Sequence, residues 1–183
     1  MSSQSSSFQS PPRIEERPAR PYVAIRASVT MAEIADALPP LTAEVIAWLK
    51  ARGVSPDGPE LWRYLTIDMA GELTIDVGFP VAEPLDGDDR VLSGELPGGP
   101  YAVALFHGHP DGLMQATADL LRWGEETGVT WDKHPDGPGE AWGARIEWYL
   151  NSEEPDLDAW DTELAFLTSA RPGTAPATPA AGS

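Results

Sequence analysis

The sequence predicts an α+β fold: a tandem βαββ duplication with pseudo-twofold symmetry, two antiparallel sheets with helices on one face, and a central ligand cleft. Three observations point there. Pro21-Tyr22-Val23-Ala24 returns as Pro100-Tyr101-Ala102-Val103. Asp57-Gly58 returns as Asp136-Gly137 at the same step. Trp48 and Gly53 close one helical pattern, and Trp123 and Gly128 close another. One such match is chance; three in order, with like elements between them, mark a repeated unit.

Each unit opens on a short strand, 22–28 or 101–107, rich in small and branched apolar residues. A helix follows. In the first unit Thr30 and Glu33 have capping-box spacing. Met31, Ile34 and Leu38 then recur at helical spacing, Pro39-Pro40 interrupts, and Val45, Ile46, Trp48 and Leu49 resume the stripe. Gly53 suits the position just past a helix end. In the second unit Leu113, Ala116, Leu120 and Leu121 form the stripe and Gly128 ends it. Two strands close each unit. Segments 61–68 and 72–79 flank a Met69-Ala70-Gly71 turn. Segments 144–151 and 161–168 flank the acidic loop 152–158.

Domain limits follow from composition. Residues 1–20 are rich in Ser, Pro and charge, and 169–183 in Pro, Ala and Gly. Both read as disordered tails around one domain, 21–168, with halves of about 21–81 and 100–168. The 183 residues include no cysteine, so disulfide and thiolate chemistry are excluded. No apolar run has the roughly 18 residues needed to cross a bilayer, and the first residues lack the apolar centre of a secretory signal. A cytoplasmic location is expected, with no membrane partner. Twelve Lys and Arg against 29 Asp and Glu give a net charge of −17. Such a surface repels a phosphate backbone, so no direct nucleic-acid partner is expected. It attracts cations, and it also serves solubility; composition does not separate the two.

Strand alternation nominates a site. In 144–151 one face carries Arg145, Glu147 and Tyr149, the other Ile146, Trp148 and Leu150. The apolar set suits the helices, so Glu147 is expected on the uncovered face. Trp62, Tyr64 and Thr66 share a face in the first unit, and Tyr64 matches Glu147 by repeat position. A pseudo-twofold brings those positions together. Glu147 would then lie among Trp62, Tyr64 and Tyr149, with Trp131 and Trp142 covering the opening. Aromatic faces attract cations by about 0.5–2 kcal/mol each. A partly desolvated carboxylate supplies a counter-charge. The bland alternative is that these rings are packing and Glu147 is solvated.

These features resemble the GyrI-like proteins: the paired Pro-Tyr starts, the helices ending in W-x-x-x-x-G, R-Y-L-T-I-D, R-I-E-W-Y-L-N and D-T-E-L-A-F-L. The resemblance spans about 21–168 and rests on diffuse motifs. It implies kinship with the effector-binding domains of AraC-type and MerR-type regulators. It also implies a cleft glutamate facing cationic drugs, which maps to Glu147. Stacking aromatics map less sharply to Trp62, Tyr64, Trp142 and Tyr149. Those regulators carry a DNA-binding helix-turn-helix ahead of the domain. Only about 20 tail-like residues precede it here, so a stand-alone binder is expected.

Other chemistries fare worse. His107-Gly108-His109, with Asp111 or His134, offers metal ligands, but three histidines and no cysteine make a poor set. No metal and no cofactor are expected. There is no G-x-S-x-G nucleophile elbow and no G-x-x-x-x-G-K-[ST] phosphate loop. The acidic runs 85–89 and 152–158 read as solvated turns. Three functions therefore compete. The first is capture of cationic, lipophilic aromatic molecules through Glu147 and the aromatics. The second is hydrolysis of cyclopropane-bearing alkylating agents, with Glu147 as general base and Tyr64 orienting water. That enzyme is what the family resemblance implies. The third is an acidic protein that engages gyrase, ranked last for want of any partner motif.

Overall fold

The computed structural model describes Phe8 and residues 10–169. Ten strands and three α-helices make a curled, antiparallel α+β fold. The strands are β1 (Arg13–Arg17), β2 (Arg20–Val29), β3 (Glu60–Ile67), β4 (Leu73–Pro80) and β5 (Leu92–Leu96). Then come β6 (Gly99–His107), β7 (Lys133–Asp136), β8 (Gly139–Trp142), β9 (Arg145–Tyr149) and β10 (Asp161–Leu167). The helices are α1 (Ile34–Ala37), α2 (Pro39–Ala51) and α3 (Leu113–Thr127). Among the described residues no helix is long and apolar enough to cross a membrane.

Local chemistry explains the helices. The Thr30 amide donates to Glu33 Oε1 at 2.8 Å, holding the turn that enters α1. Pro39 and Pro40 end α1 and start α2, where a missing N–H costs nothing. Leu41, Val45 and Leu49 of α2 face the sheet and are buried, each contributing about 1.5–3 kcal/mol. Ile46, expected in that stripe, is 38% exposed. Leu113, Ala116 and Leu120 play the same part in α3, and Gly128 closes it with a left-handed φ of 84°.

The sheet runs β1-β6-β10-β9-β3-β4-β2-β5. It differs from expectation in three ways. First, it is one hydrogen-bonded path rather than two sheets. β3 and β9 pair from Glu60 with Tyr149 through Arg63 with Ile146. Left apart, those edges would keep unpaired backbone groups that neither helix covers. Second, the stretch read as an N-terminal tail contains β1. Its residues pair with Gly99–Val103 of β6, and Arg17 donates to both Glu163 oxygens at 2.9 and 3.0 Å. Phe8 is buried and bridges Phe106. The strand has a single large apolar residue, Ile14, and that one is half exposed, so no hydrophobic pattern announced it. The far C-terminal stretch, from residue 170 on, lies outside the described residues.

Third, the two faces are exchanged. Tyr149, Trp62 and Tyr64 pack in the cluster that holds the α2 and α3 side chains. Ile146 and Trp148 pack in a separate, helix-free cluster with Tyr22, Tyr101 and Leu167. Glu147 shares the face of Tyr149, so it points toward the helices. α2 lies over β2 and β4, and α3 over β6. A strip of β3 and β9 is left between them.

The helix-free face has its own polar anchor. Asp76 is fully buried there and accepts from Tyr22 Oη at 2.6 Å and from Arg26 at 2.7 and 3.0 Å. Arg63 extends this network to the Gly143 carbonyl at 2.8 Å, just before β9.

Candidate functional site

The β3–β9 register builds the site. Trp62 lies opposite Glu147, and Glu60 opposite Tyr149. Alternation therefore places Glu60, Trp62 and Tyr64 beside Tyr149, Glu147 and Arg145 on the strip between the helices. From the next strand, Leu164 lies opposite Glu147 and Phe166 opposite Arg145.

Glu147 is 8% exposed. Its Oε1 accepts from Tyr64 Oη at 3.1 Å and also from Tyr149 Oη. Burial pushes its carboxyl above the usual carboxylate range; the two hydroxyls and the nearby Arg145 charge oppose that rise. Burial, reinforced by the Glu147 charge, holds both tyrosine hydroxyls well above their ordinary value. The phenols thus remain donors, and the acid is poised to accept a proton or face a cation.

Trp62 is the cross-strand neighbour of the acid. Its ring meets Tyr149 edge-on, with centroids 5.3 Å apart and planes at 70°. Its Nε1 donates to Glu60 Oε2 at 2.9 Å. The same oxygen accepts from Thr42 Oγ1 of α2 at 2.6 Å. Glu60 is buried and so links the helix to the ring's orientation. Trp62, Tyr64 and Arg145 remain partly exposed along the strip.

The other two nominated tryptophans lie deeper. Trp142 and Trp131 are buried and form a tilted, edge-contact group with Phe166. Trp131 also presses on α3, where a Cβ at Gly124 would stand 2.2 Å from its ring. These rings support the floor; they do not form an open cover. Four residues at the site were not nominated: Glu60, Arg145, Phe166 and Trp160, whose ring meets Tyr149 edge-on at 5.9 Å. Glu60 and Arg145 sit two positions before Trp62 and Glu147, so strand alternation alone could have found them.

A hollow lies elsewhere, away from the strip. About 460 Å³ opens on the helix-free face beside Trp148, Ile146, Tyr101 and Arg20. Glu147 does not line it. Two of the three histidines are engaged in local side-chain contacts. His107 Nδ1 is 2.7 Å from Asp161, and His109 accepts from the Asp111 amide. Among the described residues no three His, Asp or Glu side chains are grouped to hold a metal ion.

Comparisons with known proteins agree with this architecture. The model of the GyrI-like small-molecule-binding domain matches residues 10–165, which includes β1. No curated protein is significantly similar in sequence. Among solved structures, the EcmrR C-terminal domain superposes with a TM-score of 0.68 at 16% identity, covering 87% of this chain and 97% of that one. Against the longer EcmrR chain in its DNA complex the TM-score is 0.69 at 17% identity, and this chain spans 57% of that length. SAV2435, solved bound to tetraphenylphosphonium, superposes at 0.57 with 9% identity, covering 87% and 94%. A hydrolase from Listeria innocua does so at 0.56 with 15% identity, covering 86% and 91%. At these identities the likeness is one of fold.

Proposed function

The chain belongs to the GyrI-like small-molecule-binding domains, and from that premise we propose that it captures cationic, lipophilic aromatic molecules on the strip of sheet between α2 and α3. The observation that carries this reading is Glu147: a buried carboxylate held by two tyrosine hydroxyls, opposite the partly exposed Trp62 in the β3–β9 pair. A cation seated there gains the aromatic faces and a counter-charge shielded from water. Glu60 adds a second acid at the edge of the same strip. The tyrosines orient the carboxylate and keep it from needing a protein cation. Trp142 and Trp131 act from below, as packing that holds Phe166 and Arg145.

The two β-α-β-β series are read as one duplicated unit, with the ligand near the pseudo-twofold axis. The matching strand orders β2-β4-β3 and β6-β10-β9 support this. In the cell the reading corresponds to reversible capture of drug-like cations in the cytoplasm, without nucleic-acid contact.

Tetraphenylphosphonium, the molecule bound to SAV2435, is a suitable probe. Titration should quench the tryptophan fluorescence with a micromolar-range Kd. Trp62→Ala should remove most of the quenching, and Glu147→Gln should weaken affinity. Calorimetry showing no heat of binding up to millimolar probe would end the proposal.

One observation favours a second reading, hydrolysis of cyclopropane-bearing alkylating agents. The Glu147 carboxyl is raised in pKa and already touches two phenols. That is the arrangement of a general base beside groups able to orient water. Incubation with such an agent should then yield a ring-opened product with wild type and none with Glu147→Gln.

A further inference from the structure

A cation already stands inside the ligand strip. Arg145 is the second residue before Glu147 on β9, on the same face and about 7 Å along the strand. Its Cζ lies 4.9 Å from the Trp142 ring centroid, 5.0 Å from Phe166 and 5.9 Å from Tyr64. Three rings therefore hold the guanidinium, which accounts for its place but not for its hydrogen bonds.

A guanidinium carries five N–H donors and no acceptor. Among the described residues, none of its nitrogens has a hydrogen bond to a protein acceptor or lies within 4.0 Å of a carboxylate. The neighbouring acids have other partners. Glu147 Oε1 takes the two tyrosine hydroxyls. Glu140 takes Lys133 Nζ at 2.8 Å and Trp142 Nε1 at 3.1 Å. The contrast with Arg17, Arg26 and Arg90 is direct, since each of these grips a carboxylate with two nitrogens. Arg145 is only partly exposed, and burial draws its pKa below the ordinary arginine value. A partly shielded fork of donors two residues from a buried acid, on a strip that also carries Trp62 and Tyr64, matches a ligand that carries both signs of charge.

We propose that Arg145 is a specificity-determining residue that binds an anionic group of the ligand, so that the strip selects aromatic zwitterions over simple cations. The cationic end faces Glu147, the flat body lies against Trp62, and the carboxylate or equivalent anion meets the Arg145 fork. This rests on the ligand site proposed above and narrows its ligand class.

A matched dye pair tests it. A xanthene dye is used as its free acid, which is a zwitterion at neutral pH, and as its methyl ester, which is a cation. Both are titrated by fluorescence anisotropy against the full chain. The acid should bind wild type about tenfold or more tightly than the ester, the scale of one charge-assisted bond in a partly dry site. Arg145→Leu should bring the two forms to equal affinity. Arg145→Lys, which keeps a point charge without the fork, should restore part of the preference. Should the ester bind wild type as well as the acid, or should the preference persist in Arg145→Leu, Arg145 does not read an anion, and the cation site stands without it. Should wild type bind neither form, the strip is not a ligand site and both readings fall together.

Discussion

Replacing Glu147 with Gln should move affinity and stability in opposite directions. The substitution keeps an oxygen that can accept from Tyr64 and Tyr149, so the local hydrogen bonds survive in outline. It removes the charge. For a cationic ligand, loss of a charge-assisted contact of about 1.5–3 kcal/mol means roughly 10- to 150-fold weaker binding. Stability should change the other way. The folded-state carboxyl is raised in pKa, with burial as the leading cause. Between its unfolded value, near 4.5, and its higher folded value, the folded chain therefore binds more protons than the unfolded chain. Stability then falls as pH rises through that window and is flat above it. The amide carries no such penalty. At neutral pH Glu147→Gln should be more stable than wild type, by on the order of 1 kcal/mol. In a chain of this length that is about 2–4 °C in Tm. Below the window the difference should vanish. Dye titration at neutral pH and thermal melts across pH 4 to 8 measure both halves. A variant that binds the cation as tightly as wild type, or that melts lower at neutral pH than at acid pH relative to wild type, would refute the reasoning.

Three further outcomes follow from contacts in the fold. Thr42→Val removes the α2 hydroxyl from Glu60 and should cost about 1 kcal/mol; loosening of Trp62 should appear as a shifted fluorescence maximum and weaker dye quenching. Gly124→Ala places a Cβ 2.2 Å from the Trp131 ring and should destabilise by about 1–3 kcal/mol, read by thermal melting, because both the helix backbone and the packed ring must shift. Arg17→Ala breaks the two-nitrogen grip on Glu163; both side chains are partly exposed, so the global cost should stay near 1 kcal/mol while amide exchange in β1 accelerates far more than in β9.

Element types were readable because their periodicities are strong. β2, β3, β4, β6, β9 and β10 each overlap, to within a residue or two at the ends, a segment that alternation and turn residues marked out. So do α2 and α3, with their cap signals. What escaped had weak hydrophobic content. β1 alternates charges, and its stability comes from a backbone ladder and the Arg17–Glu163 pair. β5 contains a glycine and a glutamate, and β7 is exposed throughout. The ladders of β1 and β5 depend on partners distant in the chain, which no local pattern encodes, whereas β7 pairs with the adjacent β8 across the Gly137-Pro138 turn.

The face of Glu147 was misread for a more instructive reason. The usual inference sends a charged residue to the open side of a sheet, and Ile146 and Trp148 made the opposite face look like the helix side. In R-I-E-W-Y, however, both faces of β9 are buried. The helix-side position of Glu147 is tenable because two phenols solvate the carboxylate from within. Those phenols come from different strands, and one of them, Tyr64, is brought in by the β3–β9 pairing. Burial of the acid is therefore a property of the pairing rather than of the segment. The same pairing sets Trp62 beside the acid, and Glu60 and Thr42 tie its orientation to α2. A one-residue slip between β3 and β9 would turn Trp62 and Tyr64 to the other face and leave Glu147 with Tyr149 as its one phenol donor. Register at the centre of the sheet is thus the physical variable through which fold and binding chemistry are joined.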